Sequence, residues 1–164
     1  MNIFSIPYSS PLGTIVIESA GECLTGLRFV DEESRGEINH VNSEAIPPIN
    51  REAIQWLDAY FDGKRSDNVP RLNPRGTDFQ RTVWQTLLTI PYGQTKTYAE
   101  IAKMVGSRSA RAVGQAVSRN PIAIIIPCHR VICADGSIGG YAYGIERKEQ
   151  LLQMESAKNI IRHP

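Results

Sequence analysis

The sequence predicts an α+β fold in two domains, and three observations support this prediction. The first third of the chain is rich in runs of β-branched and aromatic residues, which are typical of strands. The rest of the chain carries apolar residues at helical spacing. Between these parts, residues 67–76 contain two prolines and a glycine, as linkers often do. We therefore expect a small sheet domain over 1–73 and a mostly helical domain over 74–164.

The N-terminal domain is expected to contain three strands and one helix that covers their sheet. The strand-like runs occupy residues 2–8, 14–19 and 23–30. Because the intervening stretches are short and rich in turn residues, an antiparallel meander is the simplest arrangement. The polar, acidic stretch 31–48 is expected to be a surface loop. The apolar spacing that follows predicts a helix over 49–62, which Gly63 ends.

Two capping signals mark helices in the C-terminal domain. Thr77 and Gln80 have the spacing of a capping box, and Thr97 and Glu100 repeat that spacing. Together with the apolar periodicity, these signals predict helices over 78–89, 98–105 and 108–118. Since Gly106 lies between the last two helices, the pair is expected to form a helix-turn-helix.

The charge is distributed unevenly along the chain. The formal net charge is +1, but residues 1–74 hold 6 Lys/Arg against 11 Asp/Glu, whereas residues 75–164 hold 12 against 6. Only the C-terminal half is therefore electrostatically suited to a polyanion such as DNA. A basic face is also often only a solvated surface, so charge alone does not establish nucleic-acid binding.

The second helix of the predicted helix-turn-helix has an unusual outward face. The residues expected on that face are Ser109, Ala110, Arg111 and Gly114. Readers of the major groove usually display several long polar side chains, whereas three of these residues are small. Small residues favour a shallow fit into the minor groove, with little sequence preference and one inserted arginine. The alternative interpretation is that Arg111 is an ordinary solvated residue.

Composition argues against several other classes of protein. No apolar run approaches the ~20 residues needed to span a bilayer, and the N-terminus lacks the pattern of a leader peptide. Three cysteines do not form a disulfide framework, which favours a cytoplasmic protein with free thiols. Cys23 and His40 are the only soft ligands in the N-terminal half, so we expect no metal site.

A reactive pair of side chains interrupts an aliphatic run near residue 128. Cys128 and His129 follow Ile124-Ile125-Ile126-Pro127, and the proline favours a turn over a continuous strand. A thiol becomes a nucleophile at neutral pH when a base takes its proton, so His129 is the expected base, paired through a turn or a water. Glu155 is the preferred partner for His129, with Glu146 and Glu149 as rivals. The alternative is an inert buried cysteine.

The motif Ile126-Pro127-Cys128-His129-Arg130-Val131 resembles the active-site motif of the 6-O-alkylguanine-DNA alkyltransferases. The resemblance continues, in the same order and spacing, through residues 92–98, 110–121, 139–141 and Glu155. It implies a ribonuclease-H-like N-terminal domain and a helix-turn-helix that binds double-stranded DNA as a monomer. It further implies direct-reversal repair, in which an alkyl group moves from 6-O-alkylguanine, or from 4-O-alkylthymine, to Cys128 in a single-turnover reaction. No cofactor is expected, because the damaged base is the donor.

The resemblance also implies roles for individual residues. Arg111 would fill the space left by a flipped nucleotide, and Tyr98 would crowd the neighbouring phosphate and protonate the leaving guanine. Asn120 would couple the recognition helix to the active-site segment. The residues expected to line the substrate pocket are Pro127, Val131, Tyr141, Ala142 and Tyr143. Tyr143 is bulky and is expected to restrict large alkyl groups.

Three alternatives remain at this point. A non-catalytic protein that recognises alkylation damage would share the DNA-binding features, although members of that subgroup lack the cysteine. A Cys-His hydrolase would use the same two residue types, but it would regenerate its thiol and leave the helix-turn-helix without a role. A repair domain of a larger damage sensor would also fit the motif.

Overall fold

The computed structural model describes residues 2–31, 45–65 and 68–155. Most of the loop expected over 31–48, including His40, lies outside the described residues. The chain divides into two compact units, residues 1–75 and 76–164. No helix within the described part of the chain is both long and apolar enough to cross a membrane.

The first unit is an antiparallel sheet with one helix, as the sequence predicts. Its elements are β1 (Ile3–Ser10), β2 (Gly13–Ala20), β3 (Cys23–Phe29) and α1 (Pro48–Phe61). The strands pair in the order β1-β2-β3, with Ile3 opposite Ala20 and Ile15 opposite Phe29. Helix α1 begins one residue before its predicted start because Pro48 occupies its first turn, where a missing backbone N–H costs nothing.

The core of this unit lies between the sheet and α1. Its fully buried side chains are Ile15, Ile17, Leu24, Leu27, Ala53 and Leu57. One polar pair is buried with them: the Ser19 hydroxyl donates to Asn50 Oδ1 over 2.6 Å, and the Asn50 side-chain amide donates to the Ile17 carbonyl. These hydrogen bonds satisfy polar groups that would otherwise be costly to bury.

The second unit is mostly helical and contains the expected helix-turn-helix. Its elements are α2 (Asp78–Leu87), β4 (Lys96–Thr97), α3 (Tyr98–Val105), α4 (Ala110–Ser118), β5 (Val131–Ile132) and α5 (Ile145–Met154). The short parallel pairing of β4 with β5 is not predicted from the sequence, because two residues carry no recognisable strand pattern. Trp84 Nε1 donates to the Ala116 carbonyl over 2.8 Å and ties α2 to α4.

The two predicted capping signals differ in the structure. At Thr77 the capping box is complete, because the hydroxyl accepts from the Gln80 amide and the Gln80 side chain accepts from the Thr77 amide. At Thr97 the hydroxyl accepts from the Glu100 amide. The Glu100 carboxylate instead lies 3.9 Å from Lys96 Nζ. At this helix start, therefore, only the Thr97 hydroxyl makes its capping-box hydrogen bond, and the Glu100 side chain forms a weak ion pair.

The aliphatic run before Cys128 forms a sequence of turns, as Pro127 suggested. Residues 122–126 are buried, and the chain passes through a left-handed conformation at Ile124, where φ is 69°. This conformation is unfavourable for a β-branched residue, so the surrounding packing must hold it in place. A short 3₁₀ helix, Cys128–Arg130, follows directly.

Gly106 provides a test of the turn between α3 and α4. Its φ of 74° favours glycine, and a Cβ added there would meet no atom within 4 Å, so Gly106→Ala introduces backbone strain without a clash. We expect this substitution to lower the free energy of unfolding by ~1 kcal/mol. Gly140→Ala is the matched control, because a Cβ at Gly140 meets nothing within 4 Å and the backbone there is not left-handed. Equal stability of the two variants in urea unfolding would contradict this account.

Candidate active site around Cys128

Cys128 lies against a cavity of about 330 Å³ in the second unit. The cavity is lined by Tyr98, Gly114, Val117, Ser118, Asn120, Cys128, Gly140, Tyr141, Ala142 and Tyr143. The 3₁₀ helix begins at Cys128 because Pro127 ends the preceding turn, and the Cys128 amide donates to the Ile126 carbonyl over 2.8 Å. The local backbone therefore fixes the position of a thiol that is only 6% exposed.

Asn120 joins the end of α4 to the turns before Cys128. Its side-chain amide donates to the Ile126 carbonyl over 2.8 Å, and its Oδ1 accepts from the Ile122 amide over 2.9 Å. These are the side-chain to backbone hydrogen bonds expected of a residue in an Asn-Pro turn. Since Asn120 also lines the cavity, it lies close to both the helix-turn-helix and the thiol.

His129 and Glu155 form a buried hydrogen-bonded pair. His129 Nε2 lies 2.6 Å from Glu155 Oε2, and both side chains are fully buried. Burial acts to raise the pKa of Glu155, but hydrogen bonds and charges from His129 and Arg130 lower it to about 2. The ionised carboxylate can only accept, so Nε2 carries the hydrogen and Nδ1 has the free lone pair. Nδ1 has no hydrogen-bond partner among the described residues.

His129 is therefore arranged as a neutral base. Burial lowers its pKa, and the positive charges of Arg130 and Lys148 act in the same direction, although Glu155 opposes them. The imidazole is consequently unprotonated at neutral pH and can accept a proton at Nδ1. Of the three carboxylates considered from the sequence, Glu155 is the one that contacts His129, and it does so from the C-cap of α5.

Arg130 is a site residue that was not assigned from the sequence. Its Nε donates to Glu155 Oε1 over 2.7 Å, and its Nη2 donates to Oε2 over 3.2 Å. Its Nη1 donates to the Ile90 carbonyl over 2.8 Å. The sequence signal for Arg130 was its position as a third ionisable residue, after Cys128 and His129, in a buried run. Its partner Glu155 lies 25 positions further along the chain, so the contact was not visible in the sequence.

Lys148 is a second residue that was missed from the sequence. It is fully buried, and its ammonium donates to the carbonyls of Val131, over 2.6 Å, and Gly140, over 3.0 Å. Burial lowers its pKa to about 8, while the two nearby thiols, Cys128 and Cys133, act to raise it. The spacing of Lys148 from Leu151 and Leu152 was the available signal, because it places the lysine on the apolar face of α5.

The thiol of Cys128 is subject to opposing influences. Burial raises its pKa, whereas a hydrogen bond from Asn120 and the charge of Lys148 lower it. Burial prevails, so the resting group is a thiol and not a thiolate. Reaction therefore requires a base that removes the proton when substrate is in place, and His129 is the adjacent candidate.

The structure separates the predicted site residues into two groups. The first group lines the cavity together with Cys128 and consists of Tyr98, Gly114, Asn120, Tyr141, Ala142 and Tyr143. Ser109, Ala110 and Arg111 are exposed at the start of α4 and are not among the lining residues.

Two residues expected to line the pocket are placed elsewhere. Pro127 and Val131 flank the 3₁₀ helix, are buried, and are not among the residues that line the cavity. The Val131 carbonyl accepts from Lys148. Val117, Ser118 and Gly140 line the cavity instead, although they were not identified from the sequence.

Both halves of the chain match models of one protein family. Residues 78–157 match the DNA binding domain of 6-O-methylguanine DNA methyltransferase, and residues 3–69 match its ribonuclease-like domain. The chain belongs to the 6-O-methylguanine DNA methyltransferase family. This membership confirms the resemblance seen in the sequence, and the N-terminal match agrees with the expected ribonuclease-H-like character.

Individual relatives are similar over most of their length. A methylated-DNA–protein-cysteine methyltransferase of Mycobacterium leprae is 48% identical over 147 residues, or 89% of this chain and 88% of the relative. One of Methanosarcina acetivorans is 44% identical over 153 residues, or 92% and 96%. The crystal structure of Mycobacterium tuberculosis O6-methylguanine methyltransferase matches with a TM-score of 0.81 and 42% identity, covering 99% of this chain and 96% of that one. A structure of the Mycobacterium tuberculosis protein in complex with DNA matches with a TM-score of 0.80 and 43% identity, covering 96% and 94%.

The buried pair predicts how stability depends on pH. The pKa of Glu155 is about 2 in the folded protein, against an ordinary value of 4.5. The ionised carboxylate therefore adds its full contribution to the free energy of unfolding above pH 4.5, and this contribution is lost as the pH falls toward 2. This contribution is ~3 kcal/mol. We expect urea unfolding to show this loss in the wild type and a flatter dependence in Glu155→Gln. Glu155→Gln should also be less stable at neutral pH, because Arg130 is left buried without a counter-ion. Parallel pH dependences for the two proteins would contradict the assignment.

Proposed function

We propose that this protein repairs alkylated DNA by moving an alkyl group from 6-O-alkylguanine to Cys128. The observation that carries the proposal is the placement of Cys128 on a cavity, next to a histidine whose free nitrogen can accept a proton. The chain's family membership supports the same reaction. The donor is the damaged base itself, so the proposed reaction uses no cofactor.

The proposed chemistry is a direct displacement. The sulfur of Cys128 attacks the alkyl carbon as its proton passes, through a bridging water, to Nδ1 of His129. The carbon–sulfur bond forms while the carbon–oxygen bond to guanine breaks. Glu155 then stabilises the imidazolium ion from the other side of the ring, where its carboxylate accepts from Nε2.

Tyr98 is the proposed donor to the leaving guanine anion. Burial raises the pKa of Tyr98 to about 12, helped by the nearby thiols Cys133 and Cys128, so its hydroxyl keeps its proton at neutral pH. The residue lines the cavity at the start of α3. A protonated hydroxyl at this position can neutralise the purine as it departs and then recover a proton from solvent.

The protein is proposed to act once. A thioether at Cys128 is chemically stable, and no residue of the described site is arranged to hydrolyse it. Transferase and acceptor are then the same molecule. Repair capacity would equal the number of protein molecules present, which distinguishes this reaction from the turnover of a Cys-His hydrolase.

DNA is proposed to bind as a duplex, through the minor groove, to a monomer of this protein with little sequence preference. The start of α4 is exposed and carries small residues around Arg111, which suits close approach to the backbone. An alkyl group on guanine lies inside the base stack, so the nucleotide must rotate out to reach Cys128. Arg111 would occupy the vacated space.

The test uses limiting protein and a duplex oligonucleotide containing one 6-O-methylguanine. We expect restored guanine to reach a plateau at one equivalent per protein molecule in the wild type, and none in Cys128→Ser. Continued turnover would indicate a hydrolase. Tight binding without any restored guanine would indicate a non-catalytic recognition protein, and the proposal would be withdrawn.

Arg111→Ala tests nucleotide flipping. We expect transfer from duplex DNA to slow by ~10–100-fold, since the arginine offsets an unstacking cost of a few kcal/mol. Transfer from free 6-O-benzylguanine should not change, because no duplex has to be opened. Arg119→Ala is the matched control, as Arg119 is also exposed but lies at the other end of α4. A similar loss in both variants would mean that charge alone matters.

Tyr143→Gly tests the effect of cavity size on substrate choice. The Tyr143 ring lines the cavity and packs edge-on against Tyr141, with ring centroids 5.7 Å apart. Its removal should speed transfer of a benzyl group by ~10-fold, while methyl transfer changes little. Tyr143→Phe keeps the ring and serves as the control. An unchanged benzyl rate in Tyr143→Gly would remove the steric explanation.

A further inference from the structure

Two side chains share the Glu155 carboxylate: the imidazole of His129 and the guanidinium of Arg130. His129 Nε2 lies 2.6 Å from Oε2, while Arg130 donates from Nε to Oε1 and from Nη2 to Oε2. The two bonds from Arg130 form a planar fork that fixes both the position and the rotation of the carboxylate. The Gly93 amide also donates to Oε1, but over a long 3.5 Å, so without Arg130 the rotation of the carboxylate would be held less firmly.

Arg130 is itself held by groups that take no part in the proposed chemistry. Its Nη1 donates to the Ile90 carbonyl, and its Cζ lies 5.8 Å from the centre of the Tyr92 ring. The Tyr92 hydroxyl donates to the Met154 carbonyl over 3.2 Å, next to Glu155. The segment around residues 90–92 therefore supports both Arg130 and the end of α5 that carries Glu155.

The charge of Arg130 also matters for His129. An isolated buried carboxylate beside an imidazole would favour the protonated ring, and a protonated ring cannot accept the Cys128 proton. The charged groups that act on His129 are Glu155, Arg130 and Lys148. Arg130 is permanently charged and lies directly on the carboxylate, so it offsets the charge that would otherwise draw a proton onto His129.

We propose that Arg130 is a positioning residue for alkyl transfer: it fixes Glu155 against His129 and offsets the carboxylate charge, so that the imidazole stays a neutral base. Arg130 does not line the cavity, so it acts through Glu155 and not on the substrate. The inference rests on the proposed function, since it assigns a residue to the same reaction.

The test is the pH dependence of single-turnover methyl transfer from duplex DNA. In Arg130→Met, the pH below which the rate falls should rise by about one unit or more, because the full carboxylate charge now favours protonated His129. The variant should therefore be slowed strongly at pH ~6.5 and much less at pH ~8.5. Arg130→Lys keeps the charge but loses the fork, so its rate should fall at every pH with a smaller shift of the acid limb. A loss in Arg130→Met that is equal at every pH would overturn the proposal.

Glu155→Gln separates action through the carboxylate from general damage to the site. Adding Arg130→Met to Glu155→Gln should cause little further loss of rate at pH ~8.5, because no carboxylate is left for the fork to hold. A further loss there equal to that of Arg130→Met alone would contradict action through Glu155. If Arg130→Met does not fold, Arg130→Lys decides, because an unchanged rate at every pH would show that the fork is not needed. Absence of any methyl transfer by the wild type would refute the proposed function itself, which distinguishes that failure from a failure of this inference.

Discussion

The site depends on the buried contact of Glu155 with the side chains of His129 and Arg130. A carboxylate is stable in a protein interior only when its charge and lone pairs are satisfied. Here His129 and Arg130 provide three hydrogen bonds, and the Gly93 amide donates a longer one. The contact joins the end of α5 to the 3₁₀ helix at Cys128, so the same interaction holds the local fold and sets the tautomer of the base. Stability and chemistry are therefore coupled in this unit.

Burial of the nucleophile and its reactivity work against each other. A buried thiol resists ionisation, which protects it when no substrate is bound. Asn120 and Lys148 oppose this effect from within the site, while the strained turn at Ile124 supports the backbone that positions the sulfur. A protein that can react only once benefits from a nucleophile that stays protonated until substrate arrives.

Most of the fold was predictable from sequence patterns that extend over only a few residues. The β-branched and aromatic runs of the N-terminal strands, the capping box at Thr77 and the glycine between α3 and α4 are all local signals, and each element they predict is present. The β4–β5 pair was not predictable, because pairing of two-residue segments far apart in sequence leaves no periodicity. Cys128, His129 and Glu155 were recognisable from their motif and order. Arg130 and Lys148 were missed because their roles depend on partners that only the tertiary structure brings together.

The most direct test of the account is to find where the alkyl group goes. After reaction with a duplex containing one 6-O-methylguanine, trypsin cleavage at Arg130 places Cys128 and Cys133 on separate peptides, so mass spectrometry can distinguish the two thiols. We expect one added methyl group, stoichiometric with protein, on the Cys128 peptide and none on the peptides of Cys133 or Cys23. A methyl group on another residue, or restored guanine without any modified peptide, would contradict it.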